Sequence, residues 1–306
     1  MSALPPAPER LLRRLEWTVV RRLDGLLQGD YRTLFRGVGL DLADLREYQY
    51  HDDVRHIDWD VTARLQAPYV REFTEDRELT AWFVLDLSPS VDFGSGEVTK
   101  RQVSAEFVGT VARLLMRHGN RFGALLFADG LEQVLPARGG RRHLLQLVDR
   151  VSSAPGAQPG RPTDLASFLA AAGSIVKRRS LVFVVSDFIS EPGWERALGQ
   201  LARRHEVIAV RLVDPLEVSL PDLGLVTMRD AETGEVLFVD THDRGFRRRF
   251  EDAAAEREEA LVSAFASSGV DALELSTDDD LAGAIYRFAQ QRKQRSRLAA
   301  GVAAAA

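Results

Sequence analysis

Several absences limit what this chain can be. It contains no cysteine, so disulfide bonds and thiolate metal sites are excluded, and any metal must be held by oxygen atoms or by the six histidines. A net charge of −5 gives none of the basic surplus that nucleic-acid-binding proteins usually carry. No apolar run approaches the ~18 residues of a membrane span, and the N-terminus lacks the charged-then-apolar order of a signal peptide. We therefore expect a cytoplasmic protein with no transmembrane segment and no nucleic-acid partner.

Familiar catalytic motifs are also missing from the sequence. There is no His-Glu-x-x-His metal motif and no phosphate-binding loop, and Gly94-Ser95-Gly96 does not form a Gly-x-Ser-x-Gly elbow. A phosphatase of the haloacid dehalogenase type would need Asp-x-Asp after a strand, but Ser88 stands where the second acid should be. These absences favour a protein that is not an enzyme.

Short apolar runs alternate with amphipathic segments along most of the chain. This alternation predicts an α/β fold, a mostly parallel sheet with helices on both faces. Turn signals at Asp129-Gly130 and Thr233-Gly234 also predict an antiparallel strand at Leu131–Leu135 and a β-hairpin. The apolar runs that have the length of buried strands are Ala81–Leu85, Phe122–Phe127, Leu181–Val185 and Val207–Val213.

The chain divides by composition into four predicted parts. Residues 1–29 form a Pro-rich tail and an amphipathic helix, and residues 30–79 form a charged segment or small subdomain. Residues 80–295 form the α/β domain, and residues 296–306 a flexible tail. The first helix carries arginines opposite its apolar stripe, and we expect it to pack on its own domain rather than on a membrane surface.

Polar side chains follow two of the apolar runs. Asp86, Ser88 and Ser90 come directly after the first run, Asp187 follows another, and Thr163 opens a predicted helix. Because parallel strands carry their sites at their carboxyl ends, we expect these residues to meet at one edge of the sheet. Carboxylates and hydroxyls suit a hard cation such as Mg²⁺ or Mn²⁺. Each motif taken alone could equally be an ordinary turn or a helix cap.

Together, these motifs resemble the metal-ion-dependent adhesion site (MIDAS) of von Willebrand factor A domains. The resemblance lies in Asp-Leu-Ser-Pro-Ser after an apolar strand, Pro-Thr-Asp at a helix start and Val-Val-Ser-Asp at the end of a second strand. It implies a metal held by Asp86, Ser88, Ser90, Thr163 and Asp187. Two carboxylates would leave one coordination position open, which an acidic residue of a protein partner could fill.

The charged segment resembles the signature of the bacterial domain-of-unknown-function 58 family, which precedes a von Willebrand A-like strand. One departure is His51, where that family usually has glycine. Arginine–carboxylate pairs suit an irregular segment held in place, although a docking face for a partner is the other interpretation. The residues that carry the signature are Arg46, Glu47, Tyr48, Asp52, Asp53, Arg55, Asp58, Trp59 and Arg64.

The family resemblance implies a partner rather than a reaction. Members often occur with MoxR-type AAA+ ATPases and are thought to act as adaptors in the assembly or maturation of protein complexes. We therefore expect a metal-dependent protein-interaction module. The alternative is a metal-dependent phosphoesterase or nuclease that uses the seven acids between Asp41 and Asp60.

Overall fold

A computed structural model of the chain describes residues 7–15, 19–23, 44–49, 57, 59, 61–62, 67–72, 79–155, 160 and 162–305. The strands are β1 (Asp44–Glu47), β2 (Tyr69–Glu72), β3 (Thr80–Asp86), β4 (Arg121–Phe127), β5 (Leu131–Arg138), β6 (Leu181–Ser186), β7 (Glu206–Val213), β8 (Leu225–Arg229), β9 (Val236–Asp240) and β10 (Asp271–Ser276). The helices are α1 (Ala7–Leu15), α2 (Lys100–Arg117), α3 (Arg141–Ser153), α4 (Leu165–Ile175), α5 (Trp194–Ala202), α6 (Pro215–Val218), α7 (Arg244–Ser268) and α8 (Leu281–Ala305).

The centre of the molecule is a six-stranded sheet in the order β10-β7-β6-β3-β4-β5. All neighbouring strands are parallel except β5, which pairs antiparallel with β4 at one edge. Strands β3 and β6 lie side by side in the middle, which explains why both read as continuous apolar runs. This sheet confirms the predicted fold class.

Helices cover both faces of the sheet. Alternate residues of β3 point to opposite sides, as the strand period requires. Phe83 joins the core formed with α2, α3 and α8, whereas Val84 joins the core formed with α4, α5 and α7. The two layers leave the carboxyl ends of β3, β6 and β7 together at one edge, which is where the polar side chains gather.

The N-terminal helix packs on this domain, as expected. Leu15 at the end of α1 is buried in the core, as are Val19, Val20 and Leu23 in the helical residues that follow. The helix lies against α2 and α3. Gly109 permits the approach, since a Cβ there would lie 3.0 Å from Leu15 Cδ1. The apolar face of this helix therefore packs on the protein's own core.

The charged segment is described only in part. A strand was not predicted at Asp44–Glu47, because its charged sequence has no apolar alternation, yet β1 pairs there with β2 in antiparallel register. Arg46, Glu47 and Tyr48 lie in or just after β1, and Trp59 is largely exposed. The remaining signature residues, Asp52, Asp53, Arg55, Asp58 and Arg64, lie outside the described residues, and with them most of the acids of the hydrolase alternative.

Two helix boundaries differ from the prediction, which is a long helix from His242 to Ala266 capped by Thr241 and a last helix from Asp280 to Arg295. Thr241 was expected to cap the long helix α7, but Asp243 does so by accepting a hydrogen bond from Gly245 N at 2.7 Å. The hydroxyl of Thr241 instead donates to Gly224 O at 2.7 Å, which closes the base of the β8–β9 hairpin. The last helix continues to Ala305, past its predicted end at Arg295.

Candidate metal centre

Asp86 ends β3 as a buried carboxylate, with 2% of the residue exposed. Its Oδ1 accepts a hydrogen bond from Ser88 N at 2.8 Å, and its Oδ2 accepts one from Ser186 Oγ at 2.6 Å. Burial first, and then the neighbouring Asp187 carboxylate, raise the pKa of Asp86 to about 6. The protein thus holds Asp86 beside a second acid, in a buried place that disfavours the charge of Asp86.

Ser88 and Ser90 follow Asp86 through a tight turn. Residues Pro89–Asp92 form a single 3₁₀ turn that directs both hydroxyls inward, and both serines are buried. Their Oγ atoms lie 3.1 Å apart. Neighbouring oxygens of an octahedron with bonds near 2.1 Å are separated by about 3.0 Å, so this spacing suits two adjacent ligands of one small cation.

Asp187 follows β6 and is paired with a buried lysine. Its Oδ1 accepts a hydrogen bond from Ile189 N at 3.0 Å, and its Oδ2 lies 2.6 Å from Lys100 Nζ. The ammonium also contacts Glu217 Oε1 at 2.5 Å. Burial acts to lower the pKa of Lys100, but the charges of Asp187 and Glu217 outweigh it, and the pKa is raised above its usual value. Lys100 therefore stays charged in the core.

The backbone directly after Asp187 is strained. Phe188 has a φ of 58°, a conformation that non-glycine residues rarely adopt. Its N–H donates to Ser186 Oγ at 2.9 Å, and its ring packs against Trp194 and Phe265 at centroid distances of 5.1 and 4.9 Å. This packing holds the strained turn, as is common where a backbone must present particular side chains.

Thr163 lies at the start of α4 but does not cap it. The cap is Asp164, which accepts a hydrogen bond from Ser167 N at 3.0 Å. This arrangement frees the buried Thr163 hydroxyl, which donates to Glu232 Oε2 at 2.7 Å. The other oxygen of Glu232 accepts a hydrogen bond from Ser90 N at 3.2 Å. Glu232 therefore joins the β3 turn to the start of α4.

The structure brings all five predicted ligand residues to one edge of the sheet. Direct hydrogen bonds connect Asp86 to Ser186, which precedes Asp187, while Glu232 connects Ser90 to Thr163. Sequence reasoning missed Ser186, Lys100 and Glu232. Ser186 was visible beside Asp187, but neither a lysine in the first turn of a helix nor an acid in a hairpin turn carries a signal for a distant site.

The donor set fits a hard divalent cation. Asp86, Asp187 and Glu232 are buried carboxylates. Among the described residues, the only cationic side chain that contacts one of them is Lys100, which contacts Asp187. Since Lys100 also serves Glu217, the cluster keeps a surplus of negative charge that a divalent cation would offset. No three His, Cys, Asp or Glu side chains within the described residues are arranged to hold a metal by themselves, so the hydroxyls of Ser88, Ser90 and Thr163 would be needed.

Comparison with known proteins identifies the family. Residues 44–260 match the family described as "Protein of unknown function DUF58". An uncharacterized protein of Mycobacterium tuberculosis is 38% identical over 283 residues, covering 92% of this chain and 89% of the relative. An uncharacterized protein of Mycobacterium bovis matches with the same identity and coverage. The chain belongs to the DUF58 family.

Solved structures with a similar fold include von Willebrand A domains. An aerotolerance-related membrane protein of Bacteroides fragilis is 12% identical with a TM-score of 0.45, covering 71% of this chain and 99% of that one. The VWA domain of SpRpn10 is 14% identical with a TM-score of 0.35, covering 68% and 93%. The mostly parallel sheet with helices on both faces agrees with the predicted α/β fold class, and von Willebrand A domains are among the structures to which it is similar. No helix within the described residues is long and apolar enough to cross a membrane.

Proposed function

We propose that this DUF58 protein is a non-enzymatic protein-interaction module that binds its partner through a divalent cation, Mg²⁺ or Mn²⁺. The observation that carries the proposal is the convergence of five buried oxygen-bearing side chains, with surplus negative charge, where β3, β6 and the start of α4 meet. The ligands would be Asp86, Ser88, Ser90, Thr163 and Asp187. The cation would supply a positive centre to which a carboxylate from another molecule can bind.

The arrangement supports binding rather than catalysis. The carboxylate oxygens of Asp86 and Asp187 accept hydrogen bonds from neighbouring backbone N–H groups, from Ser186 and from Lys100. A general base needs a carboxylate that is available to a substrate proton. These acids are instead held by their own chain, as ligands that orient a cation would be.

The proposed partner is a MoxR-type AAA+ ATPase, with the module acting as an adaptor in the assembly or maturation of protein complexes. This part of the proposal is supported by family membership and by the signature segment at residues 44–72. Within this segment β1 pairs with β2 in antiparallel register, which suits either a structural or a docking role.

Titration calorimetry tests the metal part. The protein should bind Mg²⁺, and Asp86→Ala should abolish binding while the chain stays folded, because removing a desolvated acid relieves repulsion from Asp187. Asp86→Asn, which keeps the side-chain size, gives a second test. Glu259→Ala removes an exposed acid from α7, a helix that carries none of the proposed ligands, and should bind like the wild type. Unchanged Mg²⁺ affinity in both Asp86 variants would refute the site.

Affinity capture tests the partner part. The immobilised protein should retain a MoxR-type ATPase from the same organism in Mg²⁺ buffer and release it in EDTA, and Asp86→Ala should retain none. Retention that is equal in Mg²⁺ and EDTA would show that the cation has no part in the contact.

A further inference from the structure

Glu232 reaches the candidate metal centre from outside the main sheet. It lies in the turn between β8 and β9, which form a separate two-stranded sheet. The hairpin sends this side chain to the far end of β3, where only 8% of the residue is exposed. Its two carboxylate oxygens contact two of the five predicted ligand residues, Thr163 through Oγ1 at 2.7 Å and Ser90 through its backbone N at 3.2 Å.

The hairpin turn is built to present Glu232. Asp230 Oδ1 accepts hydrogen bonds from Glu232 N at 2.9 Å and from Thr233 N at 2.8 Å. Gly234, with a φ of 76°, donates to Asp230 O at 2.9 Å and closes the turn. The backbone of Glu232 is also attached outside the hairpin, because Gly160 N donates a hydrogen bond to Glu232 O at 2.7 Å. The position of the carboxylate is therefore fixed by the backbone on both sides.

A purely structural role does not account for the charge of Glu232. A neutral glutamine could make both contacts, with its oxygen accepting from Ser90 N and its amide N–H donating to the Thr163 hydroxyl, and it would avoid the cost of burying a carboxylate. Among the described residues no cationic side chain forms an ion pair with Glu232. A buried carboxylate that contacts the hydroxyl of one proposed ligand and the backbone N of another is stabilised when a cation is present and destabilised when none is.

We infer that Glu232 is the internal acid ligand of this site and occupies the place that the proposed function gives to the partner's carboxylate. The inference rests on that proposed function and deepens it, because the site is then closed by its own chain. A partner acid must displace Glu232 before it can reach the cation. Binding of the partner is therefore coupled to movement of the hairpin tip away from the site.

The hairpin is suited to such a withdrawal. Its strands pair only with each other within the described residues, so moving the tip breaks no bond of the central sheet. The contacts that would be lost are the hydrogen bonds of Glu232 to Ser90, Thr163 and Gly160. A competing carboxylate can accept the hydrogen bonds from Ser90 N and the Thr163 hydroxyl in place of Glu232, and the freed Gly160 N–H can bind water.

Mn²⁺ relaxivity provides the test, since Mn²⁺ prefers the same oxygen ligands as Mg²⁺ and reports its bound waters through the relaxation of water protons. With Mn²⁺ bound to the whole chain, Glu232→Ala should raise the relaxivity above that of the wild type, because water replaces the lost carboxylate. Glu235→Ala is the matched control: it removes an exposed acid from the same hairpin and should leave the relaxivity unchanged. Acetate should then lower the relaxivity of Glu232→Ala but not that of the wild type.

The outcomes separate this inference from the proposed function. Mn²⁺ binding by the wild type with equal relaxivity in Glu232→Ala and Glu235→Ala overturns the internal-ligand role and leaves the metal site standing. A wild type that binds no Mn²⁺ overturns the proposed function and this inference with it. Glu232→Met, which fills similar space but has no oxygen to coordinate the cation, covers the case in which Glu232→Ala unfolds; raised relaxivity in either variant supports the inference.

Discussion

Two strands of this protein have similar apolar compositions and opposite surroundings. Strand β6 reads Leu-Val-Phe-Val-Val-Ser and strand β9 reads Val-Leu-Phe-Val-Asp. Every residue of β6 is buried, including Phe183 at 4% exposure, whereas Phe238 in β9 is 84% exposed. The difference comes from their neighbours, since β6 lies between β3 and β7 with helices on both faces, while β8 is the only strand that pairs with β9 in the part of the chain that the structure describes.

Both strands nonetheless serve the same site. Strand β6 leads into Asp187, and the turn that precedes β9 carries Glu232. Asp187, on one side of the candidate centre, is therefore attached to a fully buried strand. Glu232, on the other side, belongs to a hairpin whose strands are largely exposed. This difference suits a site in which one ligand is permanent and the opposite one is exchangeable.

The largest expected effect on the free energy of unfolding comes from a change in β6, the buried strand. Phe183 stacks on Phe83 at a centroid distance of 5.4 Å and meets the edge of Phe107 at 5.6 Å. Phe183→Ala should lower the free energy of unfolding by about 3–5 kcal/mol, because it leaves a cavity in the middle of the sheet. Urea denaturation measures this loss, and a loss below about 1 kcal/mol would contradict the central position of β6.

The same comparison shows how far the sequence could be interpreted. Periodicity and length predicted β6, its neighbours in the sheet and the hairpin, because each depends on local pattern and on strand connection rules. They could not predict that Leu225 and Phe238 would be exposed, since an apolar strand is buried only when another element covers it. The meeting of Asp86, Ser88, Ser90 and Asp187 at the sheet edge was predictable because parallel strands end together, whereas the position of Glu232 depends on where a hairpin folds in space.

The polar end of β6 should give the next largest effect. Lys100→Met removes the ammonium and leaves Asp187, whose side chain is 1% exposed, as an unpaired buried charge. We expect the free energy of unfolding, measured in EDTA, to fall by about 3 kcal/mol or more. Arg22→Met is the matched control, because the Arg22–Asp280 pair has side chains that are 55% and 47% exposed. The control should cost less than about 1 kcal/mol.

Equal losses in Lys100→Met and Arg22→Met would mean that Asp187 does not need its lysine. The acid would then be stabilised by something other than Lys100 in solution, and the account of the β6 end as a rigid, permanent side of the site would be wrong. A double variant, Lys100→Met with Glu217→Gln, should lose less than the sum of the single changes, because the two groups contact each other.

The smallest effect on the free energy of unfolding is expected from a change in β9, the exposed strand. Phe238→Ala should change the free energy of unfolding by no more than about 0.5 kcal/mol, because the ring already lies in solvent and its removal leaves no cavity. Relaxivity of bound Mn²⁺ should also stay at the wild-type value, since the change lies away from the turn that holds Glu232. A loss above about 1 kcal/mol would show that β9 is covered in solution. Strands β6 and β9 would then differ in what covers them, and not in whether they are exposed to solvent.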